Sequence, residues 1–301
     1  MKRYKIDLKN YIWLPEFNPK WKKKDKFLII GTGSEIFLRD IIKRISKFLK
    51  VKDLIINEEL KYRDGDFNSV IFITDDENNE NHKKCIYKIS KNKNLKKIYL
   101  IEKHFILIDI TRHFKHKIKG ERIINFGYVE KETFKSLYKL SRKIGENNSI
   151  IEIGTYTGGS TTALGIGSKD GNKNKVITID PIMPDFIFEE ISFLNLKELI
   201  IPVKGLSHII AKNWKEKSKE LNVPEKIGLI FLDGSHEYEY TLKDLNLWSN
   251  YIIKNGYIII HDFYHPVLTG VSYASYKFLE ERNDFKIIKK LKDSVICMKV
   301  K

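Results

Sequence analysis

Three polar residues in the last third of the chain have the types and the spacing for metal-assisted acid–base chemistry. Asp233 and His236 lie three residues apart in LDGSHEYEY, and Asp262 follows in IIIHDF. Each aspartate follows an apolar run that predicts a buried strand, and neighbouring strands lie about 4.8 Å apart. Both carboxylates can therefore reach one divalent cation. Oxygen ligands without an accompanying cysteine favour Mg²⁺ over zinc.

The imidazole of His236 is a candidate general base beside that cation. An unperturbed imidazole titrates near neutrality, and a bound cation lowers the pKa of a hydroxyl that contacts it. His236 could then take the hydroxyl proton and leave an alkoxide-like nucleophile. His261, directly before Asp262, has two interpretations: a further metal ligand, or a buried strand-end histidine bonded to the backbone.

A glycine-rich segment, IIEIGTYTGGST at residues 150–161, predicts a ligand-binding turn. Its apolar run has the length of a buried strand, and Gly154, Gly158 and Gly159 stand where the strand passes into a helix. Glycine lets the backbone approach a ligand closely, and the helix N-terminus offers N–H groups to an anion or a carboxylate.

Acidic residues also follow or lie within other predicted strands of this region. Asp180 ends the run VITID, where a carboxylate can accept two hydrogen bonds from a ribose diol. Together with Glu152, Asp233 and Asp262 it lies along one predicted sheet edge. Such convergence is costly unless the edge binds a positive or donor-rich ligand.

The elements that would position these residues alternate along the chain. Helices are predicted at 130–144, 241–252 and 272–282. Strands are predicted at 149–154, 175–180, 199–203, 227–233, 256–262, 285–289 and 294–300. Five βα units followed by two strands predict an α/β fold, a Rossmann-like sheet of seven strands that is mostly parallel with one antiparallel strand.

A smaller α/β domain is predicted ahead of this sheet. Its strands fall at 27–30, 53–57, 69–74 and 97–101, with a helical pattern at 35–49. The sequence GTGSE at 31–35 is either the start of a dinucleotide fingerprint or a plain strand-to-helix turn. A basic segment at 113–122 predicts the boundary, which divides the chain into domains 1–120 and 121–301.

Composition narrows the class of protein. The 301 residues carry a net charge of +16, which fits either a nucleic-acid surface or, since lysines are spread along the whole chain, a solvated lysine surface. With only Cys85 and Cys297, disulfides and structural zinc are not expected. No apolar run is long enough for a membrane span, and no signal peptide is recognised, so a soluble cytoplasmic protein is expected.

The glycine segment, with E-x-G at its strand end and an acid ending the next strand, resembles class I S-adenosylmethionine-dependent methyltransferases over residues 120–301. A nicotinamide enzyme would normally show GxGxxG instead. The resemblance implies that Asp180 binds the ribose and that Ser207, after Gly205, lies on the adenine side. It implies further cofactor contacts at Glu152, Gly154, Tyr156, Gly158, Ser160 and Asp233.

The D-x-x-H motif followed by a strand-end acid resembles metal-dependent sugar O-methyltransferases and the related cephalosporin-hydroxylase-like family. This resemblance implies that Asp233 and Asp262 bind the metal and that His236 is the catalytic base, with Asp233 also in the catalytic set. Relatives often have an acid at the position of His261. The imidazole can also coordinate, so His261 completes the predicted ligand set while the metal dependence stays open.

The predicted function is therefore O-methylation of a sugar or glycoconjugate hydroxyl. Tyr264 and His265 are expected to border the acceptor, and Tyr238 and Tyr240 are candidates to stack on a sugar ring. Two other functions stay open: a non-catalytic, regulatory cofactor-binding module and an RNA methyltransferase. The acceptor is expected to be a small molecule or a glycan, and a homo-oligomer is compatible with the sequence.

Overall fold

The computed structural model describes residues 129–265 and 268–301 continuously, and shorter segments before them. Those segments are 11–13, 27–32, 38, 41–42, 51–56, 69–74, 84–85, 95, 97–101, 106–109, 117–118 and 121–122. The chain forms two compact units. One comprises Met1–Lys117 and Arg122–Tyr128, and the other comprises Ile118–Glu121 and Val129–Lys301.

The N-terminal unit is built on a six-stranded sheet. In chain order the strands are β1 (Tyr11–Trp13), β2 (Phe27–Thr32), β3 (Val51–Ile56), β4 (Ser69–Thr74), β5 (Lys97–Ile101) and β6 (Ile106–Asp109). Their order in the sheet is β1-β6-β5-β4-β2-β3, in which β2 to β5 are parallel and β6 is antiparallel to both neighbours. The four predicted strands are confirmed. Two further short strands, β7 (Lys117–Ile118) and β8 (Glu121–Arg122), pair with each other in a separate two-stranded sheet.

Part of the N-terminal prediction falls outside the described residues. Within the helical pattern at 35–49, positions 38 and 41–42 are helical, and the other residues of that pattern are not described. The first two residues of GTGSE end β2, and the other three are not described either.

The C-terminal unit contains the predicted seven-stranded sheet. Its strands are β9 (Ser149–Ile153), β10 (Val176–Asp180), β11 (Ile200–Lys204), β12 (Ile227–Leu232), β13 (Ile252–Ile260), β14 (Phe285–Lys290) and β15 (Val295–Lys299). The sheet order is β11-β10-β9-β12-β13-β15-β14, and β15 is antiparallel to β13 and β14 while the remaining pairs are parallel. The mostly parallel Rossmann-like α/β fold is confirmed.

Complete burial explains why the central strands were recognisable in the sequence. Every residue of β9, β10 and β12 is buried. A strand in the middle of a parallel sheet is covered on both faces, so it consists of a continuous apolar run rather than an alternating one. The order β10-β9-β12-β13 also brings the carboxyl ends of four strands together, where ligands bind in open α/β sheets.

Seven helices are described in the C-terminal unit. They are α1 (Lys131–Ser141), α2 (Gly159–Lys169), α3 (Phe186–Phe193), α4 (Ser207–Lys212), α5 (Trp214–Glu220), α6 (Tyr238–Trp248) and α7 (Thr269–Glu281). Within the described part of the chain, no helix has the length and apolar character of a membrane span.

The predicted bounds of α6 and β13 are wrong. The helix predicted at 241–252 begins earlier, at Tyr238, and a 3-10 turn, Ser249–Tyr251, separates it from β13. The strand β13 correspondingly begins at Ile252, four residues before its predicted start. Apolar residues at this junction fit a helical pattern and a strand equally well. Pairing of Ile252 with Ile227 of β12 makes the segment a strand.

Candidate active site

The glycine turn after β9 adopts a backbone that favours glycine. Gly154 has φ +91° and Gly158, which precedes α2, has φ +82°. A Cβ on Gly154 would lie 1.9 Å from the backbone oxygen of Asp233. The turn therefore packs directly against the end of β12, and a side chain at position 154 would prevent that contact. Tyr156, between the two glycines, also has a positive φ of +48°.

Asp180, at the end of β10, holds this turn. Its Oδ2 accepts the N–H groups of Thr155 and Tyr156, both at 3.0 Å. Its Oδ1 accepts the N–H group of Ile182 at 2.8 Å. The sequence predicted a ribose contact for this residue but not these backbone contacts. Binding of a ribose by Asp180 stays a prediction, and the carboxylate has in addition a role in shaping the loop.

Glu152 lies beneath the turn and is fully buried in β9. Thr161 donates a hydrogen bond from Oγ1 to Oε2 of Glu152 at 2.5 Å. The other carboxyl oxygen, Oε1, has no hydrogen-bond partner. Burial raises the pKa of Glu152 to about 7, against the effect of hydrogen bonds from Ser160 and Thr161. The buried carboxyl group can therefore accept further hydrogen bonds at this edge of the sheet.

Ser207, the residue predicted on the adenine side, belongs to a buried network between α4 and α6. Its Oγ accepts the indole N–H of Trp248 at 2.7 Å. Asp244 of α6 is hydrogen-bonded to Ser207, and burial raises the pKa of Asp244 to about 6. These contacts fix α4 against α6 just after β11.

Asp233, His261 and Asp262 form the predicted metal-binding cluster, with one ligand atom from each lying within 4.8 Å of the others. His261 Nδ1 is 2.9 Å from Asp233 Oδ1 and 3.1 Å from Asp262 Oδ2. Adjacent ligands of an octahedral ion with bonds of about 2.1 Å lie about 3 Å apart. The donor set and spacing of this cluster therefore fit a divalent cation.

His236 lies beside the same cluster, with Nε2 3.1 Å from Asp262 Oδ2. The side chain of His236 is 34% exposed, whereas that of Asp262 is 14% exposed. A partly exposed imidazole next to a buried carboxylate can exchange a proton with an incoming substrate. The structure thus brings His236, Asp233, His261 and Asp262 together at one end of the sheet.

Local backbone geometry positions three members of this cluster. Parallel pairing of Leu232 with Ile260 places the following residues, Asp233 and His261, side by side. Asp262 then turns the chain with φ +52°, a value uncommon for a residue with a side chain. Backbone strain of this kind persists only where the surrounding structure holds it.

Close packing at Gly270 of α7 supports the segment that carries His236. A Cβ on Gly270 would lie 2.5 Å from the backbone oxygen of His236. Only glycine lets the first turn of α7 approach this segment so closely. The position of His236 therefore depends on α7 as well as on β12.

Electrostatics favour a positive charge within the cluster. Burial raises the pKa of Asp233. Burial acts in the same direction on Asp262, but its pKa is lowered because His261 and His236 are close. For His261 burial acts to lower the pKa, yet the carboxylates of Asp233, Asp262 and Asp293 prevail and raise it well above the ordinary value. The carboxylates thus require a proton or a cation between them.

Asp293, in the link between β14 and β15, was missed by sequence reasoning. Its Oδ2 lies 3.0 Å from His261 Nε2 and accepts the N–H of Glu130 at 2.8 Å. In the sequence it looks like one more polar residue of a short connection. Its position depends on the antiparallel pairing of β15 with β13, which no local pattern shows. The ring of His261 accordingly lies between carboxylates instead of bonding to a backbone carbonyl.

The residues expected to border an acceptor are close in sequence to the members of the cluster. Tyr264 and His265 follow the cluster directly, and His265 Nδ1 accepts the N–H of Leu268 at 3.1 Å. Tyr238 and Tyr240 of α6 are 40% and 44% exposed. The two tyrosines of α6 can therefore offer ring surface to a ligand.

Part of the C-terminal unit is similar in sequence to known proteins. Residues 151–263 match the family described as a methyltransferase domain. An uncharacterized protein of Acanthamoeba polyphaga mimivirus is 28% identical over 147 residues, which cover 45% of this chain and 65% of the relative. The chain thus spans just under two thirds of that curated relative.

Solved structures similar to this chain include methyltransferases. An O-methyltransferase from Bacillus cereus, in complex with SAH, has a TM-score of 0.45 and 20% identity, covering 57% of this chain and 82% of that one. The calicheamicin-biosynthesis protein CalS11, a TDP-rhamnose 3'-O-methyltransferase, has a TM-score of 0.43 and 14% identity, covering 56% and 77%.

Proposed function

We propose, from the match of residues 151–263 to the methyltransferase-domain family, that the C-terminal unit methylates a hydroxyl group with S-adenosylmethionine as the donor. The contact between Gly154 and the backbone of Asp233 carries the proposal, because it joins the glycine turn to the metal-binding cluster. If the donor binds at the turn and the acceptor binds at the cluster, the methyl group and the acceptor hydroxyl would thus be adjacent. Alignment of these atoms supplies much of the catalysis of such a transfer.

For the donor, we assign its methionine part to the turn and its ribose to Asp180. The turn residues in this assignment are Glu152, Gly154, Tyr156, Gly158 and Ser160. Support comes from the buried Oε1 of Glu152, which lacks a hydrogen-bond partner and can accept one from the donor's ammonium group. Ser207 follows β11 and is assigned to the adenine side, and Asp233 borders both donor and cation.

For the cation, we assign a divalent ion, with Mg²⁺ as the first candidate, to Asp233, His261 and Asp262. When bound, it would lower the pKa of the acceptor hydroxyl. His236 takes the proton from that hydroxyl at its ring nitrogen, and the acceptor oxygen attacks the methyl carbon. Bound S-adenosylmethionine would supply the methyl group, with the electrons of its carbon–sulfur bond staying on the sulfur of S-adenosylhomocysteine as the carbon–oxygen bond forms.

For the acceptor, we propose a hydroxyl of a sugar or glycoconjugate. The exposed rings of Tyr238 and Tyr240, on the helix that follows His236, support this choice. Aromatic rings with one wet edge suit a ligand that presents both apolar and polar faces. The net charge of +16 keeps RNA as the second candidate acceptor.

A labelled-donor assay on the full chain tests the proposed function. Methyl-labelled S-adenosylmethionine is incubated with nucleotide sugars, polysaccharide fragments and RNA, in Mg²⁺ or in EDTA. We expect label in a carbohydrate fraction, and less of it in EDTA. Label in RNA alone would replace the sugar proposal with the RNA one. Donor binding in calorimetry without transfer to any acceptor would favour a regulatory module.

Asp180→Ala is expected to weaken S-adenosylhomocysteine binding by about 1.5–3 kcal/mol, as hydrogen bonds to a charged group are lost. Both the ribose contact and the bonds to Thr155 and Tyr156 disappear in this variant. Calorimetric titration gives the dissociation constants. Asp185→Ala, an exposed acid in the same connection, serves as the matched control and should bind normally. An unchanged affinity in Asp180→Ala would remove the assignment.

His236→Gln is expected to lower the turnover number about 10²–10⁴-fold, because a general base is lost. The binding of S-adenosylhomocysteine should change little, since His236 is assigned to the acceptor side. Single-turnover transfer of label measures the first quantity, and calorimetry measures the second. Normal turnover in this variant would show that another group takes the proton.

A further inference from the structure

The ring of His261 is held between carboxylates on both sides. Its side chain is 3% exposed, with Nε2 3.0 Å from Asp293 Oδ2. On the other side, Nδ1 lies 2.9 Å from Asp233 Oδ1 and 3.1 Å from Asp262 Oδ2. Nδ1 is buried and has no partner in hydrogen-bond geometry. One nitrogen thus points to the predicted cation position while the other contacts Asp293.

Asp293 is itself fixed by several donors. The N–H of Glu130 donates to Oδ2 at 2.8 Å, and the hydroxyl of Thr133 donates to Oδ1 at 2.5 Å. Ser294 donates to Oδ1 at 2.9 Å. An ionised carboxylate only accepts hydrogen bonds, so Nε2 of His261 carries a proton toward it. Nδ1, which lies on the side of Asp233 and Asp262, is then the nitrogen left to coordinate a cation.

We propose that the Asp293–His261 pair makes this site select a first-row transition-metal dication, such as Mn²⁺ or Co²⁺, over Mg²⁺. The inference rests on the proposed function, whose cation site it refines. Imidazole nitrogen is a poor ligand for Mg²⁺, which takes oxygen ligands, and it suits transition ions well. A carboxylate behind the ring orients it and raises its basicity as a ligand.

The Asp293–His261 pair could either stabilise the fold or tune His261 as a metal ligand. If Asp293 only stabilised the fold, its replacement would lower the melting temperature without changing the ratio of cation affinities. If it tunes the ligand, replacement changes the affinity for transition ions most. Measuring the affinities of three cations on the same variants separates the two roles.

Calorimetric titration of the full chain with Mg²⁺, Mn²⁺ or Co²⁺, without donor, tests the proposal. We expect Co²⁺ and Mn²⁺ to bind at least about tenfold tighter than Mg²⁺. Bound Co²⁺ should also give a visible absorption band that changes in His261→Glu. That variant replaces the nitrogen with an oxygen ligand, so its preference for Co²⁺ over Mg²⁺ should be lost.

Asp293→Asn should weaken Co²⁺ binding about 10–100-fold, the usual effect of losing a partner behind a metal ligand. Asp284→Asn is the matched control, because Asp284 pairs with Arg282 at 2.8 Å and is not a member of the cluster. Circular dichroism checks that each variant is folded. If His261→Glu fails to fold, the Asp293→Asn series still measures the selectivity.

Equal affinities for Mg²⁺ and Co²⁺ in the unaltered chain would overturn the inference, as would an unchanged Co²⁺ affinity in Asp293→Asn. Neither result touches the proposed methyl transfer, which the labelled-donor assay measures separately. A chain that binds none of the three cations would overturn both the inference and the cation part of the proposed function. Label transferred in EDTA would then still support the methyltransferase activity.

Discussion

Asp262→Ala should remove the cation-stimulated part of methyl transfer, with a loss of turnover of about a hundredfold or more. Polarisation of an oxygen by a bound cation contributes several kcal/mol, and each ~1.4 kcal/mol is a factor of ten in rate. The variant loses the Oδ2 atom that lies 3.1 Å from both His261 and His236. It therefore removes one predicted ligand and the group that faces the base.

Binding of S-adenosylhomocysteine to Asp262→Ala should stay within about twofold of normal, because Asp262 is not assigned to the donor. Turnover is compared in saturating Mg²⁺ and in EDTA, and donor affinity is measured by calorimetry. Asp284→Ala, at a carboxylate paired with Arg282, is the control that should keep both properties.

A melting curve of Asp262→Ala separates chemistry from folding, since residue 262 has a positive φ and alanine tolerates that less well than aspartate. The metal role is wrong if chelation leaves the rate of the unaltered chain unchanged.

Gly154→Ala should destabilise the C-terminal unit by about 3 kcal/mol or more. Its Cβ would lie 1.9 Å from the backbone oxygen of Asp233, so the turn or the end of β12 must move. Overpacking of this kind costs about 1–3 kcal/mol, and a left-handed residue with a side chain adds about 1–2 kcal/mol. At about 2–4 °C per kcal/mol, the melting temperature should fall by roughly 10 °C.

The same substitution should weaken donor binding, because the displaced backbone belongs to the turn that we assign to the donor. Gly145→Ala is a matched control in the same unit, where the nearest atom to a new Cβ is 3.7 Å away. Thermal unfolding and calorimetry on both variants provide the comparison. Equal melting temperatures for the two variants would show that the contact with Asp233 does not constrain position 154.

Much of the C-terminal fold could be predicted because its signals are local. A strand buried on both faces, such as β9 or β12, needs a continuous apolar run, and the residues that follow it must turn. Alternation of such strands with helices predicts a parallel sheet, which places Asp233 and Asp262 at one edge. The two aspartates are therefore identifiable as candidate cation ligands from the sequence alone.

Contacts between residues that are far apart in the sequence could not be predicted from it. Asp180 holds the backbone of Thr155 and Tyr156 because β10 lies beside β9 in the sheet. Asp293 reaches Glu130, 163 positions away, and His261, 32 positions away.

The sequence by itself determined the strands, the glycine turn and the set of acids at one sheet edge, because each depends on residues a few positions apart. Only the tertiary structure determined which side chain contacts Nε2 of His261. The antiparallel return of β15 beside β13 brings Asp293 against its ring. That approach depends on strand order and on packing against α1, and no periodicity of a single segment encodes either.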